Sequence, residues 1–335
     1  MRAEQLTYLD GWRGLAILLL LVGHYVPVPG VNMGAVGVRL FFALSGFLMV
    51  RLLITQRVPV GQFLKRRIAR IFPAAYVFLV VLAAGCALAG WPVSWPELLA
   101  AGTFTFNYFP GQLGHAVLPV GHFWSLCVEE HSYLLLAGLA VLVGRAANRM
   151  LLAVVLCMGV SIAAGAWYVA SYEGRSLTGM LLHTEIAAFT LFASVFLYLA
   201  IGQRRIRVPA PAWCALFGAA MLTQWWSVPV LVQTYAGGLL FALAVNLLPT
   251  AGPLVQDVLS WRPLRMLGLW SYSLYLWQQP AYLYGDGSWP HRIGGLALSV
   301  CLGVLSFYFI EGPARRWLNR RWAPAAAPLP HREAA

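Results

Sequence analysis

Charge is what this sequence has least of. Only 10% of its 335 residues are Asp, Glu, Lys or Arg, while 60% are hydrophobic. An average soluble protein carries about 25% charged residues. A soluble fold of this length could not hide so much apolar surface, so lipid is the expected solvent, in line with a mean hydropathy of +0.72. Acidic residues are the scarcer sign, 11 against 23 Lys and Arg, and the net charge is +12. Cysteine is sparse too: Cys86, Cys127, Cys157, Cys214 and Cys301 are odd in number and show no CxxC or Cys/His spacing. Neither a disulfide framework nor a zinc site is expected, and no other metal site is. No small-residue cleavage site follows the first apolar run. That run is read as a membrane helix, not as a removable signal peptide. No internal repeat and no separate soluble domain are evident.

What is present is a series of apolar runs. A helix needs about 20 mostly apolar residues to cross a bilayer. Ten candidates fall roughly at 11–29, 33–54, 73–91, 124–144, 150–170, 182–202, 209–226, 228–248, 265–284 and 292–311. The expected fold is all-α, a polytopic membrane bundle of about ten transmembrane helices spanning residues 1–316. A cytosolic, disordered tail is expected over 317–335.

The basic residues support that count. With the N-terminus inside, twenty of the 23 Lys and Arg residues fall on cytosolic segments. Only Arg175 and Arg292 lie outside, and Arg39 lies within the second run. This asymmetry follows the positive-inside rule and predicts an inner (plasma) membrane protein with both termini cytosolic. Basic clusters between apolar runs are not the pattern of a nucleic-acid surface, so no nucleic-acid partner is expected. Residues 55–72 alternate apolar and basic side chains and read as an amphipathic helix lying on the inner interface.

Ionisable residues inside spans are costly and mark candidate sites. Arg13 and His24 are eleven residues apart, three turns plus about 20°, so they share a face of the first helix. The expected span 11–29 puts His24 near mid-membrane. A neutral imidazole there can act as a general base or bond a core carbonyl. The segment from His122 to Tyr133 carries Ser125, Glu129, Glu130, Ser132 and Tyr133. Ser125, Glu129 and Tyr133 share a face, and the two adjacent glutamates point about 100° apart. Glu129 can orient His24 as a base, or form a structural ion pair with Arg39. Arg67 and Arg70 are one turn apart and can clamp phosphates through forked hydrogen bonds, or anchor to anionic lipid headgroups. Glu185 with His183, and Glu311, are further candidates; a packing ion pair is open to either and is the favoured reading for Glu311.

In order along the chain, five motifs resemble the acyltransferase-3 family of integral membrane acyltransferases. They are Leu9-Asp10-Gly11-Trp12-Arg13-Gly14 followed by His24, Gly37 through Leu48, Arg66-Arg67-Ile68-Ala69-Arg70, Ser125-Leu126 through Tyr133, and Ser271 through Trp277 with Glu311-Gly312-Pro313. The resemblance implies a membrane O-acyltransferase moving an acyl group, acetyl by expectation, from acyl-coenzyme A to a hydroxyl of a carbohydrate or glycolipid acceptor. It implies His24 and Glu129 as catalytic residues and Arg13, Arg67 and Arg70 as the donor-binding set. Ser125, Glu130 and Tyr133 are expected to bind the acceptor. This chain departs from the family by having His131-Ser132 after the two glutamates, and Gln278 where a histidine often stands. The alternative class is a transporter exporting a glycan or lipid-linked sugar, which midplane polar residues also fit.

Overall fold

Proline and glycine set where the helices of this chain stop. The structure, a computed structural model, describes residues 6–26, 28–109, 117–171, 179, 181–201, 206–283 and 287–322. Helix α1 (Thr7–Tyr25) ends at Val26, which is extended at φ −117°, ψ 122°, as a residue before proline prefers. Helix α2 (Met33–Val50) starts from Asn32, whose side chain accepts the Ala35 N–H at 3.0 Å, and runs on through a π-helical stretch, Arg51–Thr55. Next come α3 (Val60–Leu88), α4 (Trp95–Gly102), α5 (Phe123–Leu142), α6 (Ala147–Ala170) and α7 (Thr184–Ile201). The C-terminal half holds α8 (Ala210–Leu222), α9 (Gly238–Leu247), α10 (Pro253–Leu259), α11 (Arg262–Leu283), α12 (Trp289–Ser306) and α13 (Gly312–Arg321). Among the described residues there is no strand beyond two isolated bridges. The chain is an all-α, multi-pass membrane protein.

All ten expected spans coincide with helical segments. Among the described residues, seven segments are long and apolar enough to cross a membrane: 33–55, 60–88, 123–142, 147–170, 184–201, 232–250 and 289–321. The other three fall short of that standard. Helix α8 has only 13 residues, and α1 and α11 carry polar side chains along their length. Those side chains build the site described below.

Three boundaries differ from the sequence reading. Residues 60–72 are not a separate interfacial helix but the first turns of α3, which continues through Pro73. Their basic stripe splits: Lys65 and Arg66 are exposed, while Arg67 and Arg70 turn toward the bundle. Helix α1 ends four residues earlier than 29, so His24 is its penultimate residue rather than near its middle. Past 316 the chain stays helical to Arg321, and 323–335 lie outside the described residues.

Helix α1 packs between α2 and α11 through glycine contacts. A Cβ at Gly14 would strike the carbonyl oxygen of Leu264, and one at Gly268 the carbonyl oxygen of Asp10. On the α2 side, Gly23 meets Gly34, and Gly37 meets Ala16 and Leu20. Small residues let helices in lipid approach to backbone contact. Fully buried Trp12 adds a hydrogen bond from its indole N–H to the Leu40 carbonyl at 2.9 Å. These contacts bring the polar faces of α1, α2 and α11 together.

Candidate active site

Two cavities lie end to end along the bundle. The inner one, about 70 Å³, is lined by Arg13, Ser45, Arg67, Arg70, Ser125, Glu129 and Tyr133, with apolar walls from α2 and α3. The outer one, about 870 Å³, holds His24, Arg39, His122, Gln279 and Tyr282. Ligand pockets commonly measure about 300–1,000 Å³, and the outer cavity falls in that range. Val38, Phe42 and Tyr275 line both. On α1, α5 and α11 the residues facing the inner cavity lie to one side of those facing the outer cavity; on α2 the two sets meet between Val38 and Phe42, where Arg39 lines the outer cavity and Phe41 the inner. The three side chains therefore form a septum across one passage.

The inner cavity collects most of the predicted residues. Arg13 pairs with Asp10 at 2.9 Å. Arg67 donates to the Tyr133 hydroxyl at 3.3 Å, and its guanidinium lies 4.6 Å from the centre of that ring. Glu129 accepts a short hydrogen bond from the Ser45 hydroxyl. The Tyr275 hydroxyl donates to the His122 carbonyl at 2.7 Å and can accept from Ser125 Oγ at 2.6 Å, fixing the septum. Three arginines, one carboxylate and several hydroxyls around a narrow space can hold phosphate groups through charge-assisted hydrogen bonds.

The structure does not bring Glu129 to His24. The expected pairing of base and carboxylate is replaced by another. His24 Nδ1 lies 2.6 Å from Gln278 Oε1, and the imidazole stacks on Tyr282 with centroids 4.7 Å apart and planes 14° from parallel. With the Gln278 amide oriented oxygen-first, which leaves its own Nε2 buried without a partner among the described residues, Nδ1–H donates to Oε1 and the imidazole Nε2 lone pair is left free. Gly34 keeps that atom accessible: a Cβ there would sit 3.1 Å from Nε2. Ser125 and Tyr133, expected on the acceptor side, stand instead with the arginines. Glu130 is among the lining residues of neither cavity, and its Oε1 is buried with no hydrogen-bond partner.

Sequence reasoning missed Gln278 and Tyr282 as partners of His24. The departure at 278 was visible, but its contact with a residue 254 positions away was not. Outside the cavities, Glu97 accepts the backbone N–H groups of Val117 at 2.9 Å and Leu118 at 2.8 Å, two residues that line the outer cavity. Glu185 accepts from Tyr108 at 2.7 Å and from Tyr168 at 2.9 Å. Glu311 accepts from Ser273 at 2.8 Å and lies 3.9 Å from Arg315. Glu185 Oε1 also lies 3.4 Å from His183 Nδ1. Among the described residues no group of three or more His, Cys, Asp or Glu side chains is arranged to hold a metal ion.

Comparison with known proteins fits this architecture. Residues 6–310 match a family described as "Acyltransferase domain". The peptidoglycan O-acetyltransferase OatA of Listeria monocytogenes is 25% identical over 356 aligned positions, covering 92% of this chain and 55% of that protein. The O-acetyltransferase OatA of Staphylococcus aureus is 27% identical over 351 positions, covering 92% of this chain and 57% of that protein. The chain thus spans about half the length of these curated relatives. No solved structure matches at a significant level. With its motifs in order and nearly its whole length matched, the chain belongs to the acyltransferase-3 family.

Proposed function

We propose that this protein is a membrane O-acetyltransferase that takes an acetyl group from acetyl-coenzyme A on the cytosolic side and passes it to a hydroxyl of a carbohydrate acceptor entering from the opposite side. The observation that supports the reading is the adjoining pair of cavities, one rich in arginine and one holding His24, with Val38, Phe42 and Tyr275 lining both. The names of the relatives, O-acetyltransferases of peptidoglycan among them, support the carbohydrate acceptor.

In this reading Arg67, Arg70 and Arg13 hold the phosphates of the donor at the inner mouth. The thin thioester-bearing arm passes the septum. His24 Nε2 takes the proton of the acceptor hydroxyl as that oxygen attacks the thioester carbonyl. Collapse of the tetrahedral intermediate breaks the carbon–sulfur bond, and the imidazolium returns the proton to the departing thiolate. Gln278 holds the ring in the tautomer this step needs. Nε2 is also the atom an acyl-histidine route would use. The orientation follows from charge: basic segments and both termini lie in the cytosol of a plasma-membrane protein.

The test is transfer of radiolabel from acetyl-coenzyme A to candidate glycans by the purified full chain, with His24→Ala as control. Label covalently bound in a glycan product that disappears in His24→Ala supports the reading. Glycan carried across a vesicle membrane without acetylation sinks it in favour of a transporter.

A further inference from the structure

Among the described residues that line the two cavities, one cation lies outside the donor-side set. Arg39 lies on α2 and lines the outer cavity, where it is the only Lys, Arg, Asp or Glu among the described lining residues. Arg13 has Asp10 and Arg67 has Tyr133. Arg39 has no hydrogen bond or ion pair to any described residue, and Glu129, its candidate partner from the sequence, is engaged with Ser45 and faces the inner cavity. A guanidinium is always charged, and taking a charge out of water without a counter-charge is expensive. His122 lines the same cavity and is 5% exposed, its ring packed against Phe78 and Tyr275.

The position of Arg39 is defined by the packing of α1 on α2. Gly34 of α2 lies against Gly23 and His24, and Gly37 against Ala16 and Leu20. Arg39 is five residues beyond Gly34, roughly 7.5 Å along the axis toward Val38 and Phe42. It therefore branches from the floor of the outer cavity, on the septum side of His24.

We infer that the outer cavity recognises an acceptor bearing an anionic group, a carboxylate or a phosphate, which Arg39 binds at the cavity floor while a hydroxyl of the same molecule meets His24. The inference rests on the outer cavity being the acceptor site. Arg39 is then the residue that selects acidic sugars over neutral ones. A guanidinium presents paired N–H groups in the spacing that carboxylate and phosphate oxygens accept, and His122 supplies a further neutral donor.

The test separates binding from turnover. The full chain in lipid nanodiscs is titrated with N-acetylglucosamine, N-acetylmuramic acid and N-acetylglucosamine 1-phosphate, three amino sugars that carry no anion, a carboxylate and a phosphate. Tryptophan fluorescence reads occupancy, since Trp124 and Trp226 line the cavity. At least one acidic sugar is expected to bind about tenfold more tightly than the neutral one, with the advantage shrinking as salt is raised. The better of the two acids names the anion. Arg39→Gln should abolish the preference and Arg39→Lys should retain part of it, both variants eluting as the wild type does on size exclusion. His24→Ala should keep the preference while losing transfer. A wild type without preference overturns the inference, as does a preference that survives Arg39→Gln. So does an Arg39→Gln variant whose transfer rate falls equally for acidic and neutral acceptors with the preference intact, because Arg39 would then serve the oxyanion of the transition state. A wild type that prefers the acid yet transfers nothing would leave the anion site standing and remove the proposed function.

Discussion

His24 and Gln278 lie 254 residues apart in the chain, and their Nδ1 and Oε1 atoms are 2.6 Å apart. The bond joins the end of α1 to α11 and decides which imidazole nitrogen faces the outer cavity. Gln278→Leu removes the acceptor and frees the ring to adopt the other tautomer. Its kcat should fall by about 10- to 100-fold with little change in the KM for the acyl donor. His24→Ala removes the base itself and should cost about 10²–10⁴-fold. Steady-state kinetics on both variants checks the order, and a Gln278→Leu enzyme with wild-type kcat would deny the glutamine an orienting role.

Glu129 offers the contrast. Because it faces the inner cavity and bonds Ser45, Glu129→Gln leaves the His24–Gln278 pair untouched. Its effect should appear mainly in the donor KM, and its kcat should fall far less than that of His24→Ala. Equal losses of kcat in the two variants would show that the carboxylate belongs to the chemistry.

Arg67→Ala combined with Arg70→Ala empties much of the positive charge from the inner cavity. The KM for acetyl-coenzyme A should rise by about tenfold or more, since each charge-assisted bond to phosphate is worth about 1.5–3 kcal/mol. Tyr133→Phe, which removes only the 3.3 Å hydrogen bond, should raise it about twofold or less. An unchanged KM in the double variant reduces the basic pair to a structural role.

Gly34→Ala places a methyl group 3.1 Å from His24 Nε2. That is tight enough to displace the ring or block the hydroxyl it serves. The expected result is a several-fold lower kcat with thermal stability close to wild type. Unaltered turnover would mean that Nε2 is not the reactive nitrogen.

Gly268→Leu tests the packing that makes the site. Its side chain collides with the backbone of Asp10, so α1 and α11 must separate. Overpacking costs typically about 1–3 kcal/mol. The melting temperature in detergent should fall, and activity should fall with it, because His24 and Gln278 ride on the two helices forced apart. A variant as stable and active as the wild type would show that the two backbones can part without disturbing the site.

Much of this molecule was legible along the chain. Ten apolar runs named ten helical segments, because a span is a local property: about 20 apolar residues satisfy lipid wherever they occur. The motifs around Arg13, Arg67, Arg70 and Glu129 named residues that do line one cavity. Helix ends were less legible. The turn signal at Pro27 was plain, yet the apolar run across it carried the expected span to 29, and a proline at 73 did not end α3.

The sequence by itself determined that the protein lives in a membrane and which few polar side chains interrupt its apolar runs, since composition and motif spacing are written in one dimension. Only the tertiary structure decided which of those side chains meet. It paired His24 with Gln278 rather than Glu129, gathered Ser125 and Tyr133 with the arginines, and left Arg39 without a partner among the described residues. The physical reason is that helix faces are set by period but partners by packing. Where α1 settles on α2 and α11 through Gly14, Gly23 and Gly268 fixes which polar faces coincide, and no spacing within a single helix contains that information.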